Sequence, residues 1–251
     1  MARGRDTGGM RWLADPDGRA IAALAIATVV VAALFALFPS LDVRGAALFH
    51  DVDGFTLSST WVDKLYDGVL RGATVWAALA AIPLWLAGEL RGRAVLGFGR
   101  RAFAFVLTAL VLACIVVPDV LFKPIFGRAR PFETLPFGGD LPFVGPFRVS
   151  GACSENCSFY SGDVAFAAAL IVFVLLLPAA RRLPWFILWA VWGLFVAIMR
   201  MGVGKHFPSD AVFAALISLL VILAVRALVA RWRWAWLDGP GPRLRAASPR
   251  L

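Results

Sequence analysis

LPWFILWAVWGLFVAIMRMGVGKHFPSDAVFAALISLLVILAV, from Leu183 to Val225, decides how the chain is read. Two uncharged apolar runs, Leu183 to Met199 and Ala211 to Val225, flank a short polar stretch holding Arg200, Lys205, His206 and Asp210. A bilayer core about 30 Å thick takes about 20 helical residues, so each run reads as a membrane-crossing helix that draws a few residues from its flanks. Gly202 and Gly204 let the chain reverse between them, and Pro208 suits the first turn of the second helix, where a missing N–H does no harm. His206 is one of two histidines, and Asp210 stands four residues on, which places both on one helix face. An imidazole steered by a carboxylate and flanked by fixed cations is equipped for nucleophilic attack on phosphorus, because the cations neutralise the phosphoryl oxygens.

Outward from this stretch, four further runs have the length and character of spans: Ala20 to Phe38, Gly72 to Gly88, Ala102 to Phe122 and Val164 to Ala180. With 61% hydrophobic residues, 16% charged residues and a mean hydropathy of +0.80, the chain is too apolar for an ordinary soluble domain. The expected fold is all-α, a polytopic bundle of six transmembrane helices. It divides into a lead-in at 1–19, a six-span domain at 20–230 and a tail at 231–251. The first run reads as a retained span, since nineteen apolar residues without a small-residue cleavage site do not make a signal peptide. Trp12, Trp61, Trp185, Trp232, Trp234 and Trp236 fall near span ends, where amphipathic rings prefer the interface. Trp189 and Trp192 are expected to pack inside.

The net charge of +9 raises nucleic acid as a partner, and the placement of the cations argues against it. With a cytoplasmic N-terminus, sixteen of the 25 Lys and Arg lie in cytoplasmic segments and nine in outer ones. The positive-inside rule then puts both termini in the cytoplasm and the loop at His206 on the outer, non-cytoplasmic face. The outer cations cluster in the later loops, against the general bias, so they call for an anionic ligand there.

The loop after the third span supplies the first cluster. KPIFGRARP brings Lys123, Arg128 and Arg130 within eight residues, and phosphate coordination explains them better than headgroup contacts on this face. Asp119, one turn before Lys123, is read as a counter-ion. FGGDLPFVGPF is too irregular for a span and suits a lid or substrate rim. Cys153 and Cys157, exposed to an oxidising periplasm, are read as a disulfide, since two thiols alone make a poor zinc site. Ser161, Gly162 and Asp163 open the fourth span. Free backbone N–H groups at a helix start make a phosphate seat, and the same residue types are also ordinary helix caps. His50, without cations around it in sequence, is read as an interfacial loop residue, and Cys114 as packing.

Together these stretches resemble the type 2 phosphatidic acid phosphatase superfamily, whose signature is K-x6-RP, PSGH and SR-x5-H-x3-D. Lys123, Arg130 and Pro131 fit the first motif, and Arg200, His206 and Asp210 fit the third, with Met199 in place of the serine. Tyr160, Ser161, Gly162 and Asp163 stand where the second motif has Pro, Ser, Gly and His. The FGG stretch, the cysteine pair and the CSF-x-SG context are similar to bacterial lipid A phosphatases. The resemblance implies a membrane phospholipid or glycolipid substrate, a metal-free and cofactor-free site, and His206 as the nucleophile that forms a phosphohistidine. It makes Asp210 the group that sets the tautomer of His206, and gives the phosphoryl oxygens to Lys123, Arg130, Arg200, Ser161 and Gly162. Asp163 replaces the histidine that protonates the leaving alcohol. Three readings follow: an aspartic acid with a raised pKa, a leaving group that needs little protonation, or weakened catalysis. A lipid phosphotransferase and a phospholipid-binding or transport protein without catalysis are the competing functions. The sequence leaves the oligomeric state open.

Overall fold

The computed structural model describes residues 16–95, 98–232 and 235–238. Most of the lead-in and of the C-terminal tail, with Trp12 and Trp234, therefore lies outside the described residues.

Eleven α-helices make up the described architecture: α1 (Pro16–Leu37), α2 (Ser40–Ala47), α3 (Trp61–Leu65), α4 (Arg71–Leu79), α5 (Ala81–Arg91), α6 (Arg100–Val111), α7 (Lys123–Phe126), α8 (Gly162–Ala169), α9 (Ile171–Leu176), α10 (Arg182–Gly202) and α11 (Pro208–Arg231). A two-stranded hairpin pairs His50–Asp51 with Gly54–Phe55. π-helical turns at Tyr66–Leu70 and Leu112–Phe122 join α3 to α4 and α6 to α7. The second of these contains Pro118, whose missing N–H and ring bulk break the regular α ladder.

Five continuous helices are long and apolar enough to cross a membrane: Asp17–Leu37, Trp61–Arg91, Arg100–Glu133, Ala179–Gly202 and Pro208–Arg231. Their outward faces carry rows of exposed large apolar side chains, such as Ile26, Val29 and Val30 on α1 and Ile187, Leu188, Val191 and Leu194 on α10. Rows of this kind suit lipid and not water. The protein is thus a helical, multi-pass membrane protein.

The expected fourth span is the exception. α8 and α9 together form an apolar helix of only Gly162–Leu176. It is shorter because it turns at Leu170 and ends in extended backbone at Leu177, just before Pro178. It is also the most enclosed helix, with Val164, Ala165, Ala167, Ala168, Ala169 and Val172 buried. The small side chains let α10, α11 and the Leu112–Phe122 segment pack closely around it.

Ion pairs and caps align the helix ends. Asp17 on α1 meets Arg226 on α11 at 3.3 Å, Arg100 at the start of α6 binds Glu89 at the end of α5, and Arg101 donates to the Val229 and Trp232 carbonyls at the C-terminal end of α11. At the opposite end, Ser209 of α11 meets Asp42 of α2. α1 and α11 are therefore antiparallel, and Lys123, Gly162, Arg200 and Asp210 all come to the α2 end of the bundle. Trp61, Trp185 and Trp236 are exposed near helix ends, while Trp189 donates inward to the Ala167 and Ala168 carbonyls.

The glycine and proline-rich loop does not form the rim expected for it. Phe137 and Phe143 instead pack on Phe207 and Phe55, with His50 against Phe55 and Phe137, in an aromatic cluster beside α2. His50 is thus a packing residue of the loop layer.

Candidate active site

The turn between α10 and α11 builds the centre. Gly204 has φ +70°, and a Cβ there would meet the Phe55 ring at 2.4 Å, so the hairpin of the first loop can close over the turn only on a glycine. Pro208 opens α11 at its first turn. Asp210, fully buried, accepts from the Phe207 N–H and from the Ser158 hydroxyl.

His206 presents its ring between two surroundings. Nδ1 lies 2.8 Å from the Ser158 carbonyl and 3.8 Å from Asp210 Oδ2. A carbonyl can only accept, so Nδ1 carries the proton and Nε2 keeps its lone pair. The direct orienting contact is therefore the Ser158 carbonyl, and Asp210 acts one step behind it by binding the Ser158 hydroxyl. Burial is the largest influence on the imidazole and holds its pKa below the usual 6.5, against the opposing pull of Asp210. His206 is neutral at neutral pH and able to attack.

It opens on a cavity of about 200 Å³, lined also by Arg71, Lys123, Arg130, Gly162, Asp163, Arg200 and Lys205. Each cation there already has an oxygen partner. Lys123 binds Asp119 at 2.7 Å, Lys205 and Arg200 bind Asp67 at 2.8 and 2.9 Å, and Arg130 donates to the Asn156 carbonyl at 2.7 Å. Asp119 is the counter-ion expected for Lys123. Asp163 lies between two guanidiniums, 3.0 Å from Arg71 Nε and 2.9 Å from Arg200 Nε, the latter off the hydrogen-bond line. Each Asp163 oxygen thus faces one guanidinium as an ion pair.

The structure thus brings six of the expected site residues to one cavity: Lys123, Arg130, Gly162, Asp163, Arg200 and His206. Asp210 stands behind them. Ser161 is fully buried and its hydroxyl accepts from the Val164 N–H, so it caps α8 and does not line the cavity. Cys153 and Cys157 are joined as a disulfide, and Cys114 is a buried free thiol that touches the cavity wall.

Arg128, grouped in sequence with the phosphate cations, faces the other way. It is buried and binds Asp42, Asp210, Ser209 and the Val144 carbonyl, with its guanidinium 4.3 Å from the Phe207 ring centre. Arg71 and Ser158 are the residues that sequence reasoning missed. Arg71 had a sequence signal as an outer-loop cation, one helical turn from Asp67. The Ser158 carbonyl had none.

A family model described as the PAP2 superfamily matches residues 101–234. The lipid A 4'-phosphatase of Francisella tularensis subsp. novicida is 32% identical over 207 residues, which cover 78% of this chain and 90% of that protein. The lipid A 4'-phosphatases of Rhizobium etli and Rhizobium leguminosarum are 36% and 35% identical over 122 residues, covering 49% of this chain and 48% and 52% of theirs. No solved structure matches. A neutral histidine facing a cage of cations has the makings of a phosphoryl-transfer site, and the family match spans more than half the chain. The chain belongs to the PAP2 superfamily and is a phosphatase of that metal-independent, membrane-embedded kind.

Proposed function

We propose that the protein removes phosphate from a membrane glycolipid of the lipid A type through a phosphohistidine on His206. The observation that carries this reading is the free Nε2 of a neutral His206 opening on a cavity lined by Arg71, Lys123, Arg130, Arg200 and Lys205. In the first step Nε2 attacks phosphorus, the P–O bond to the lipid breaks, and the leaving oxygen takes a proton. In the second, water attacks the phosphohistidine and releases inorganic phosphate, returning the imidazole. Lys123, Arg130, Arg200 and the Gly162 N–H hold the phosphoryl oxygens as charge develops on them.

Asp67, Asp119 and Asp163 pair with the cations of the site, and an entering phosphate dianion competes with them. When Arg200 turns from Asp163 to the phosphoryl group, Asp163 Oδ2 becomes free to hold a proton for the leaving oxygen. The names of the relatives favour lipid A over polyprenyl diphosphate as substrate. The distribution of cations supports a cavity on the periplasmic face of the inner membrane, with six passes and both termini cytoplasmic. For the short α8–α9 helix, the full crossing rests on its antiparallel packing beside α10, since Arg182 reaches back to the Leu175 and Leu177 carbonyls while Arg200 meets Asp163.

The experiment is inorganic phosphate release from lipid A, polyprenyl diphosphate, phosphatidate and phosphatidylglycerophosphate by the wild type and by His206→Ala. Release from lipid A by the wild type alone is expected. No release from any of the four would leave a binding or transport protein.

A further inference from the structure

We propose that the disulfide-closed loop Cys153–Ser158 is a positioning element of the phosphoryl site, setting Arg130 for phosphate through the Asn156 carbonyl. The proposal rests on the phosphatase reading of the cavity and adds a role for a bridge that would otherwise be read as stabilising alone.

The loop is laced to the strand of chain that carries Arg130. Cys153 N–H donates to the Gly127 carbonyl at 3.1 Å, and Ser158 N–H donates to the Arg128 carbonyl at 2.8 Å. Gly127 has φ +52°, and a Cβ there would lie 3.0 Å from the Cys153 carbonyl oxygen, so the two segments meet at backbone distance. Between these anchors Ser154, Glu155 and Asn156 are exposed and belong to no helix or strand.

Asn156 takes a left-handed φ of +51°, a conformation asparagine tolerates, and aims its carbonyl at Arg130 Nη2, 2.7 Å away. That contact is the one hydrogen bond from the Arg130 guanidinium to protein recorded among the described residues. Arginine has a long side chain with much rotamer freedom, so one acceptor at a fixed place sets where the guanidinium waits. An exposed loop of three residues does not hold a carbonyl in place by packing. The Cys153–Cys157 bond, with Cys157 buried beside Ser158, does so covalently.

The same loop then delivers Ser158, whose carbonyl holds His206 Nδ1 and whose hydroxyl binds Asp210. Ser158 is fully buried and anchored through its own N–H, so the nucleophile is less exposed to loss of the bridge than Arg130 is. Opening the bridge is a two-electron exchange. A dithiol such as dithiothreitol supplies two electrons and two protons, the S–S bond becomes two thiols, and the reductant becomes the cyclic disulfide. The bridge ties full phosphate affinity to an oxidising compartment.

The test measures orthovanadate affinity, as a tetrahedral oxyanion probe independent of turnover, together with KM for lipid phosphate release. Cys153→Ser/Cys157→Ser is expected to weaken vanadate binding and raise KM about tenfold, with KM carrying the loss. Dithiothreitol should reproduce this in the wild type, reoxidation should reverse it, and the double variant should ignore it. In an Arg130→Ala background, reduction should change vanadate affinity less than twofold, because the bridge acts through Arg130. Equal weakening in both backgrounds would mean a merely structural role and would overturn the proposal, as would unchanged affinity on opening the bridge. Bridge-dependent vanadate binding without phosphate release from any lipid would support the positioning role while removing the phosphatase reading. No vanadate binding by the oxidised wild type would overturn both.

Discussion

Because the Ser158 carbonyl sits 2.8 Å from His206 Nδ1, the ring has one nitrogen committed to the fold and one left over, which the proposed reaction uses on phosphorus. Protonating Nε2 would end nucleophilicity, and it would also place a cation in a buried setting near Arg200. The folded-state pKa therefore lies below the unfolded value, so the neutral form persists to lower pH and is lost as pH falls through the folded value. The acid limb of kcat/KM should lie below pH 6.5, checked by a pH–rate profile, and a limb above that value would contradict the account. Asp163 makes a second prediction. Asp163→Asn keeps the shape of the Arg71–Asp163–Arg200 bridge but removes its charge and any proton it hands on. It should slow release from phosphomonoesters about tenfold more than from diphosphates, whose leaving group needs less protonation. Equal rates for the two substrate classes would count against a role at the leaving oxygen.

At the scale of elements, Arg128 ties α2 to α11, through Asp42, 86 residues before it in sequence, and Asp210, 82 residues after it. Its ionic partners are buried with it, so removing the guanidinium strands two carboxylates away from water. Arg128→Ala should cost about 3–5 kcal/mol, read as a large drop in melting temperature, and Arg130→Ala two residues away should leave stability within about 0.5 kcal/mol. A reversed pattern would mean that the two arginines have been assigned the wrong way round.

The contrast shows what was legible in sequence. Lys123, Arg130, Arg200 and His206, which line one cavity, could be picked out because side chains at fixed spacings mark them. The role of Arg128 could not, because the same residue type serves either purpose and its deciding partner, Asp42, lies 86 residues away on α2. The work of Ser158 and Asn156 is done by carbonyls, which every residue has. Among the helices, the five long spans were legible as long apolar runs. Val164 to Ala180 read as a sixth of equal rank, but an enclosed helix is chosen by small side chains and can stop at Leu176 because its neighbours cover it.

For the whole molecule, the antiparallel pairing of α1 with α11 puts the described chain ends at one end of the bundle and the cavity at the other. With the bias of cations, that geometry predicts that thiol-reactive probes unable to cross the membrane will label a cysteine placed at Asp51 from the periplasmic side. A cysteine placed at Gly92 should stay unlabelled, and the reverse result would invert the orientation. All of this serves one chemical event at the cavity. The most direct test of it is an alkaline rapid quench of the enzyme turning over 32P-labelled lipid, followed by peptide mapping. The account predicts an acid-labile, alkali-stable label on the peptide bearing His206, absent in His206→Ala; a label on another residue, or one that survives His206→Ala, would contradict it.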